Sequence, residues 1–234
     1  MGTAIKTTKK KIAEAMSIMQ LEELKCRKRV LRRFGFINEA EVVQLKARVA
    51  CEISTGDELM LAELLFNGFF NDMTPEQIAS VVSCFVFEEK VKETPPLQKD
   101  ELAKPLKEIQ AQARVIAKVS QESKLAVNED EYVQSFHWEL MEVIYEWTQG
   151  KSFADIWYVA PDCIFCVCAL IHYSSKMTDV YEGSLIRVFR RLEECLRQIA
   201  QAAKVMGSED LESKFEAALM KVRRDIVAAQ SLYL

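Results

Sequence analysis

Apolar residues return every three or four positions along most of this chain, and that spacing predicts helices. In "KKKIAEAMSIMQLEELKCRKRVLRRFGF", Ile12, Met16, Met19, Leu24 and Leu31 fall near one stripe, and Gly35 stands where a C-terminal cap would. The segment "EVVQLKARVACEIS" is ambiguous: Leu45, Ala47, Val49, Cys51 and Ile53 alternate as in a strand, whereas Val42, Leu45, Val49 and Ile53 fit a helix. Thr55 or Asp57 can cap a helix running to about Phe66. After the turn "NGFFND", "TPEQ" predicts a capping box, with Thr74 as cap, Pro75 at the first position and Gln77 at the third. A charged, proline-bearing connection, "EEKVKETPPLQKDE", separates that helix from the next.

From Lys104 to about Leu125 the helical spacing resumes in Leu106, Ile109, Ala113, Ile116 and Val119. "DEYVQSFHWELMEVIYEWTQG" predicts one helix, with Val133, Phe136, Leu140, Ile144 and Trp147 on a stripe and Gly150 as its stop. "KSFADI" starts another, capped by Ser152. The longest periodic run spans 183–206, where Leu185, Phe189, Leu192, Leu196, Ile199, Ala203 and Met206 line one side. A last helix follows Ser208 and carries Leu211, Phe215, Leu219, Val222 and Ile226. The expected fold class is all-α, a helical bundle with a long helix near the C-terminus.

Composition agrees with that expectation. Seven Gly and five Pro in 234 residues are too few for the many tight turns of an all-β fold. Charge is unevenly spread: residues 1–33 hold ten Lys or Arg against three Glu, so this end carries +7 and the rest −11. A basic end on an acidic body could face a phosphate backbone, an acidic partner or only water. Seven cysteines are an odd number, Cys26, Cys51, Cys84 and Cys195 lie singly, and no secretory signal pattern opens the chain, so a reducing compartment is expected. No run reaches the ~20 apolar residues of a transmembrane helix, and no membrane partner is expected.

Catalytic chemistry is sparse. Neither a phosphate-binding G-x-x-x-x-G-K-[ST] loop nor a dinucleotide fingerprint occurs. Of the two histidines, His137 lies beside Trp138 without a matched nucleophile or carboxylate and is expected to be structural. The chain alone is therefore expected to be non-catalytic. The long helix offers a binding face instead: Arg187, Arg191, Glu194 and Gln198 fall at i, i+4, i+7 and i+11, opposite Leu185, Leu192 and Ile199. Arg191 can stack on a base or fork to a phosphate. Glu194 could brace a base together with Arg191, or could pair with Arg190 or Arg197 on a solvated face.

Several stretches bear on that choice. "ELKCRKRVLRRFGF", "ARVACEIS", "DELMLAELLFNGFFN", "MTDVYEGSLIRVFRRLEE" and "RRDIVAAQSLYL" resemble the C-terminal helical (DSHCT) domain of the DExH-box RNA helicases that serve the RNA exosome. The resemblance is strongest to the nuclear, TRAMP-type branch rather than the cytoplasmic superkiller branch, and spans the chain apart from about 156–176. It implies a module in which two RecA-like domains elsewhere hydrolyse ATP with Mg, while a helical domain closes around single-stranded RNA. The family's "ratchet" helix matches "EGSLIRVFRRLEE", and its RNA-contacting Arg and Glu fall on Arg191 and Glu194. By the same resemblance, residues 1–35 are the end of an arch stalk, 36–234 the DSHCT domain, and Arg27, Lys28 or Arg32 could approach RNA. No cofactor is implied for this chain; the exosome, adaptor proteins and a nuclear location are. Both RecA-like domains are expected to lie on a longer parent helicase.

One stretch departs from the family pattern. "IWYVAPDCIFCVCALIHYSSK" (156–176) contains Cys163, Cys166, Cys168 and His172 in a C-x2-C-x-C-x3-H order, and four such ligands can close a zinc tetrahedron. The interleaved Ile164, Phe165, Val167, Ala169, Leu170 and Ile171 are apolar, unlike the turn residues of a zinc knuckle. Pro161 and Asp162 interrupt it as a membrane span; a packed hairpin or helix is the other structural reading. Relatives pass from "FADI" to "MTDVYEGS" almost directly. Replacing 157–175 by one cysteine restores that passage, and the codons for Trp157-Tyr158-Val159 and Ser174-Ser175 can hold splice-site sequences. A translated, retained intron is the expectation. Lying just before the long helix, it could pack on the bundle, displace the helix start or promote aggregation.

Overall fold

The computed structural model describes residues 5–11, 19–89, 97, 99–151 and 182–224. Residues 5–11 are helical, and the principal helices that follow are α1 (Met19–Arg33), α2 (Leu45–Cys51), α3 (Glu58–Phe66), α4 (Pro75–Ser83), α5 (Asp100–Glu122), α6 (Glu129–Gln134), α7 (Met141–Thr148), α8 (Glu182–Met206) and α9 (Glu209–Val222). Among the described residues there is no strand, only an isolated bridge between Ile37 and Val43. The fold is an all-α bundle.

α4 is the central strut, because almost every side chain on it is apolar or small: Ile78, Ala79, Ser80, Val81, Val82 and Ser83 are all buried. It packs against α5, α7, α8 and α9, while α8 also lies along α2 and α9. Ser80 and Ser83 turn their hydroxyls onto the carbonyls of Met141 (2.6 Å) and Ser80 (2.6 Å), so neither leaves a buried polar atom unsatisfied. The α8 stripe of Leu185, Phe189, Leu192, Leu196, Ile199 and Ala203 is buried as its spacing predicts. Each fully buried large apolar side chain contributes about 1.5–3 kcal/mol relative to exposure, so this one stripe fixes the rotation of α8 about its axis.

Local signals hold at several ends. Asp57, rather than Thr55, caps α3 by accepting the Met60 N–H at 2.8 Å. Thr74 and Gln77 form the reciprocal capping box over Pro75. Gly35 closes the α1 segment at φ +74°, a backbone conformation open to glycine at little cost.

The structure also decides one open reading and alters two expectations. The ambiguous 41–54 segment is helical from Leu45 to Cys51: the alternating set does not share a side, since Val49 and Ile53 are buried while Leu45 and Cys51 are exposed. α5 starts at Asp100, a turn earlier than expected, with Asp100 and Glu101 favourably placed at its positive end and Pro105 buried inside it. The single helix expected across 130–149 is broken into α6 and α7. Between them the His137 N–H donates to the Cys84 carbonyl (3.2 Å) and the Ser135 hydroxyl to the Tyr132 carbonyl (2.7 Å). These bonds replace helical ones and let both Phe136 and Leu140 reach the core, which outweighs helical continuity.

The expected helix at "KSFADI", the 156–176 segment with Cys163, Cys166, Cys168 and His172, and Ile226 all lie outside the described residues. Among the described residues, no group of His, Cys, Asp or Glu could hold a metal ion, and no helix is long and apolar enough to cross a membrane.

Candidate nucleic-acid interface

With its apolar stripe turned into the bundle, α8 must present Arg187, Arg191, Glu194 and Gln198 outward. Arg187 is exposed, and the other three are half-buried along the edge where α8 meets the loop joining α2 to α3. That loop, Ser54–Asp57, lies close against the helix. A Cβ on Gly56 would come within 3.1 Å of Leu61 Cδ1, 3.3 Å of Phe85 Cβ and 3.7 Å of Cys195 Sγ, so glycine permits the approach. Burial pushes the Cys195 thiol up to about 12, leaving it an inert part of this packing.

Gln198 is the fastening. Its Oε1 accepts the N–H groups of both Ser54 (2.8 Å) and Thr55 (3.0 Å), and its Nε2 donates to Ser54 Oγ (3.1 Å) and Glu194 Oε1 (2.8 Å). Glu194 pairs along the helix with Arg197, one of the two partners its spacing allowed. Arg191 does not pair with Glu194. Its Nη2 donates to Glu88 Oε1 at 2.6 Å, and that hydrogen bond holds the Glu88 carboxyl below the usual carboxylate range. Arg187 donates to Ser184 Oγ (3.0 Å) and lies 3.8 Å from Glu89.

Arg191 and Glu88 line an open cleft of about 410 Å³, together with Ser54, Thr55, Gly56, Asp57, Phe85, Phe87, Ser135 and Phe136. Its floor is aromatic and its rim polar. Asp57 braces one wall through a second bond, accepting the Tyr132 hydroxyl at 2.7 Å; burial, with Asp57 beside it, drives that phenol far above its ordinary pKa. A guanidinium at the mouth of a polar-rimmed cleft, with a carboxylate about one turn along, can hold a phosphate while offering an acceptor to base amino groups.

Sequence periodicity found the α8 residues but missed Glu88, Glu89 and the Ser54–Asp57 loop. Glu88 and Glu89 open a charged connection that reads as solvated linker; only contacts with residues about a hundred positions away in sequence give them a role. The basic α1 residues sit in a different setting. Arg27 pairs with Glu23 (2.7 Å), Lys28 and Arg32 with Glu41 (2.8 and 3.7 Å), and Arg33 with Glu122. His137 lies edge-on to Phe87 with Nδ1 3.4 Å from Glu139 Oε1, so it has a carboxylate neighbour that the sequence reading did not assign to it.

Comparison with known proteins adds a second kind of observation. The model of the DSHCT (NUC185) domain family matches residues 40–230. The chain is 54% identical over 230 residues to the ATP-dependent RNA helicase mtr4 of Schizosaccharomyces pombe, covering 98% of this chain and 19% of that protein. It is 49% identical over 230 residues to the exosome RNA helicase MTR4 of Homo sapiens, covering 98% and 20%. With the mRNA transport homolog 4 of Caenorhabditis elegans it shares 45% over 231 residues, covering 99% and 20%. The chain thus spans about a fifth of the length of the curated relatives it matches.

Proposed function

Since the chain belongs to the DSHCT domain family, we propose that it is the RNA-contacting helical module of an ATP-dependent 3′–5′ RNA helicase that unwinds RNA and feeds it to the nuclear exosome. In this reading residues 36–234 are the module and 1–35 the end of an arch stalk. ATP and Mg act on RecA-like domains of the parent protein, and the chain itself performs no chemical step. Single-stranded RNA runs along the outward side of α8. Arg191 and Glu194 are its central contacts, Arg187 and Gln198 flank them, and the exosome and its adaptors are the protein partners in the nucleus.

The observation that carries the reading is the placement of Arg191. Its guanidinium stands at the mouth of an open, polar-rimmed cleft and is held there by one monodentate bond to an exposed carboxylate. A guanidinium presents five donors in a planar fork, so further acceptors such as phosphate oxygens can be engaged alongside or in exchange.

The test is ultraviolet crosslinking of single-stranded RNA to the parent helicase carrying this domain, with Arg191→Ala and Glu194→Ala introduced singly and together. Crosslinking and unwinding are expected to fall in each variant. Unchanged crosslinking with intact unwinding would make the domain a protein-binding scaffold instead.

A further inference from the structure

Two consecutive acidic residues meet two arginines one helical turn apart. Glu88 and Glu89 leave the core directly after Phe87, which is 1% exposed, so the backbone carrying them is anchored. From there Glu88 reaches Arg191 at 2.6 Å and Glu89 reaches Arg187 at 3.8 Å. An i, i+4 step along α8 advances about 6 Å against about 3.4 Å between neighbouring residues of an extended chain, and the long arginine and glutamate side chains span the difference. Both pairs are open to water. We infer that Glu88 and Glu89 form an acidic clasp that competes with RNA phosphates for Arg191 and Arg187, and so sets how tightly the α8 surface grips a strand.

The inference rests on the RNA-contact reading above. A carboxylate and a phosphate present comparable paired oxygens to a guanidinium, so each phosphate bound by Arg191 displaces or shares Glu88. The exchange lowers the gain from each contact and leaves the grip weak enough to be remade as a strand advances. A carboxamide in place of either glutamate keeps the shape and removes the competing charge.

The experiment is fluorescence anisotropy of the 234-residue chain with fluorescein-labelled oligouridylate at fixed moderate salt. Four proteins are compared: the parent chain, Glu88→Gln/Glu89→Gln, Arg187→Ala/Arg191→Ala, and the quadruple variant. The double carboxamide is expected to bind about two- to five-fold tighter, the range that exposed ion pairs support. The protein lacking Arg187 and Arg191 should bind more weakly, and the carboxamides should give it little or no gain. If the arginine substitutions weaken binding but the carboxamides fail to tighten it, the clasp is overturned and the contact reading stands. An equal gain in both backgrounds also overturns the clasp, since it would reflect general charge rather than competition. Arginine substitutions without effect, or no binding by any of the four, would overturn both.

Discussion

Replacing Gln198 by Leu separates a fastening role from a pure RNA contact. The amide makes four hydrogen bonds, two of them from backbone N–H groups of Ser54 and Thr55 to one oxygen. Ser54 is exposed and Thr55 half-buried, so water can replace part of what is lost, and each bond belongs at the lower end of the usual net contribution. Two such bonds give about 1–2 kcal/mol, or roughly a 5- to 30-fold rise in local opening of the loop. Leu keeps the apolar stem and roughly the volume, so the change falls on hydrogen bonding. The assay is native-state hydrogen exchange, reading the Ser54 and Thr55 amides against the capped Met60 amide at the start of α3. Faster exchange at Ser54 and Thr55, with a smaller change at Met60, is expected. If the two amides exchange at the parent rate while RNA binding falls, Gln198 acts on RNA alone and the fastening is refuted.

Three other outcomes follow from buried polar groups. Lys46 pairs with the buried Glu63, donates to the Phe34 carbonyl at 3.1 Å and lies over the Phe36 and Phe66 rings. Lys46→Met is expected to cost about 3–5 kcal/mol in urea unfolding by stranding the Glu63 charge, with Lys46→Met/Glu63→Leu regaining most of it; a loss below about 1 kcal/mol would contradict this. Trp147, fully buried, donates through Nε1 to the Val222 carbonyl at 2.9 Å, and Arg224 stacks on its ring at 3.9 Å. Trp147→Phe should destabilise by about 1–3 kcal/mol on thermal or chemical unfolding, chiefly by orphaning that carbonyl and losing ring area. Burial pushes the Glu146 carboxyl up, but Lys151 at 2.6 Å and Lys99 outweigh it, so the folded value lies below the usual one. Its contribution is then present above the unfolded carboxylate pKa and is lost as pH falls through the folded value. Glu146→Gln is expected to flatten the acid limb of the stability profile, and an unchanged acid limb would refute the assignment.

Parts of the fold are encoded where they occur. The cap of α3 and the capping box of α4 involve residues within three positions of each other, so sequence spacing found the capping box outright and narrowed the α3 cap to Thr55 or Asp57. The interruption between α6 and α7 was not legible in that way. The stripe Val133, Phe136, Leu140, Ile144 and Trp147 is continuous, and the break is favoured by the distant Cys84 carbonyl at α4's end together with burial of Phe136 and Leu140 in the core.

The candidate site divides along the same line. The sequence by itself determined that α8 exists, which side of it is apolar, and therefore that Arg187, Arg191, Glu194 and Gln198 share the outward one. That information is local, because a helix's periodicity ties each residue's direction to its neighbours. Only the tertiary structure decided whom those side chains meet. Arg191 pairs with Glu88 rather than Glu194, and Gln198 holds Ser54 and Thr55. An exposed charged or amide side chain has several partners of nearly equal energy within reach of its own helix. The choice among them is made by which distant loop the buried core happens to bring alongside.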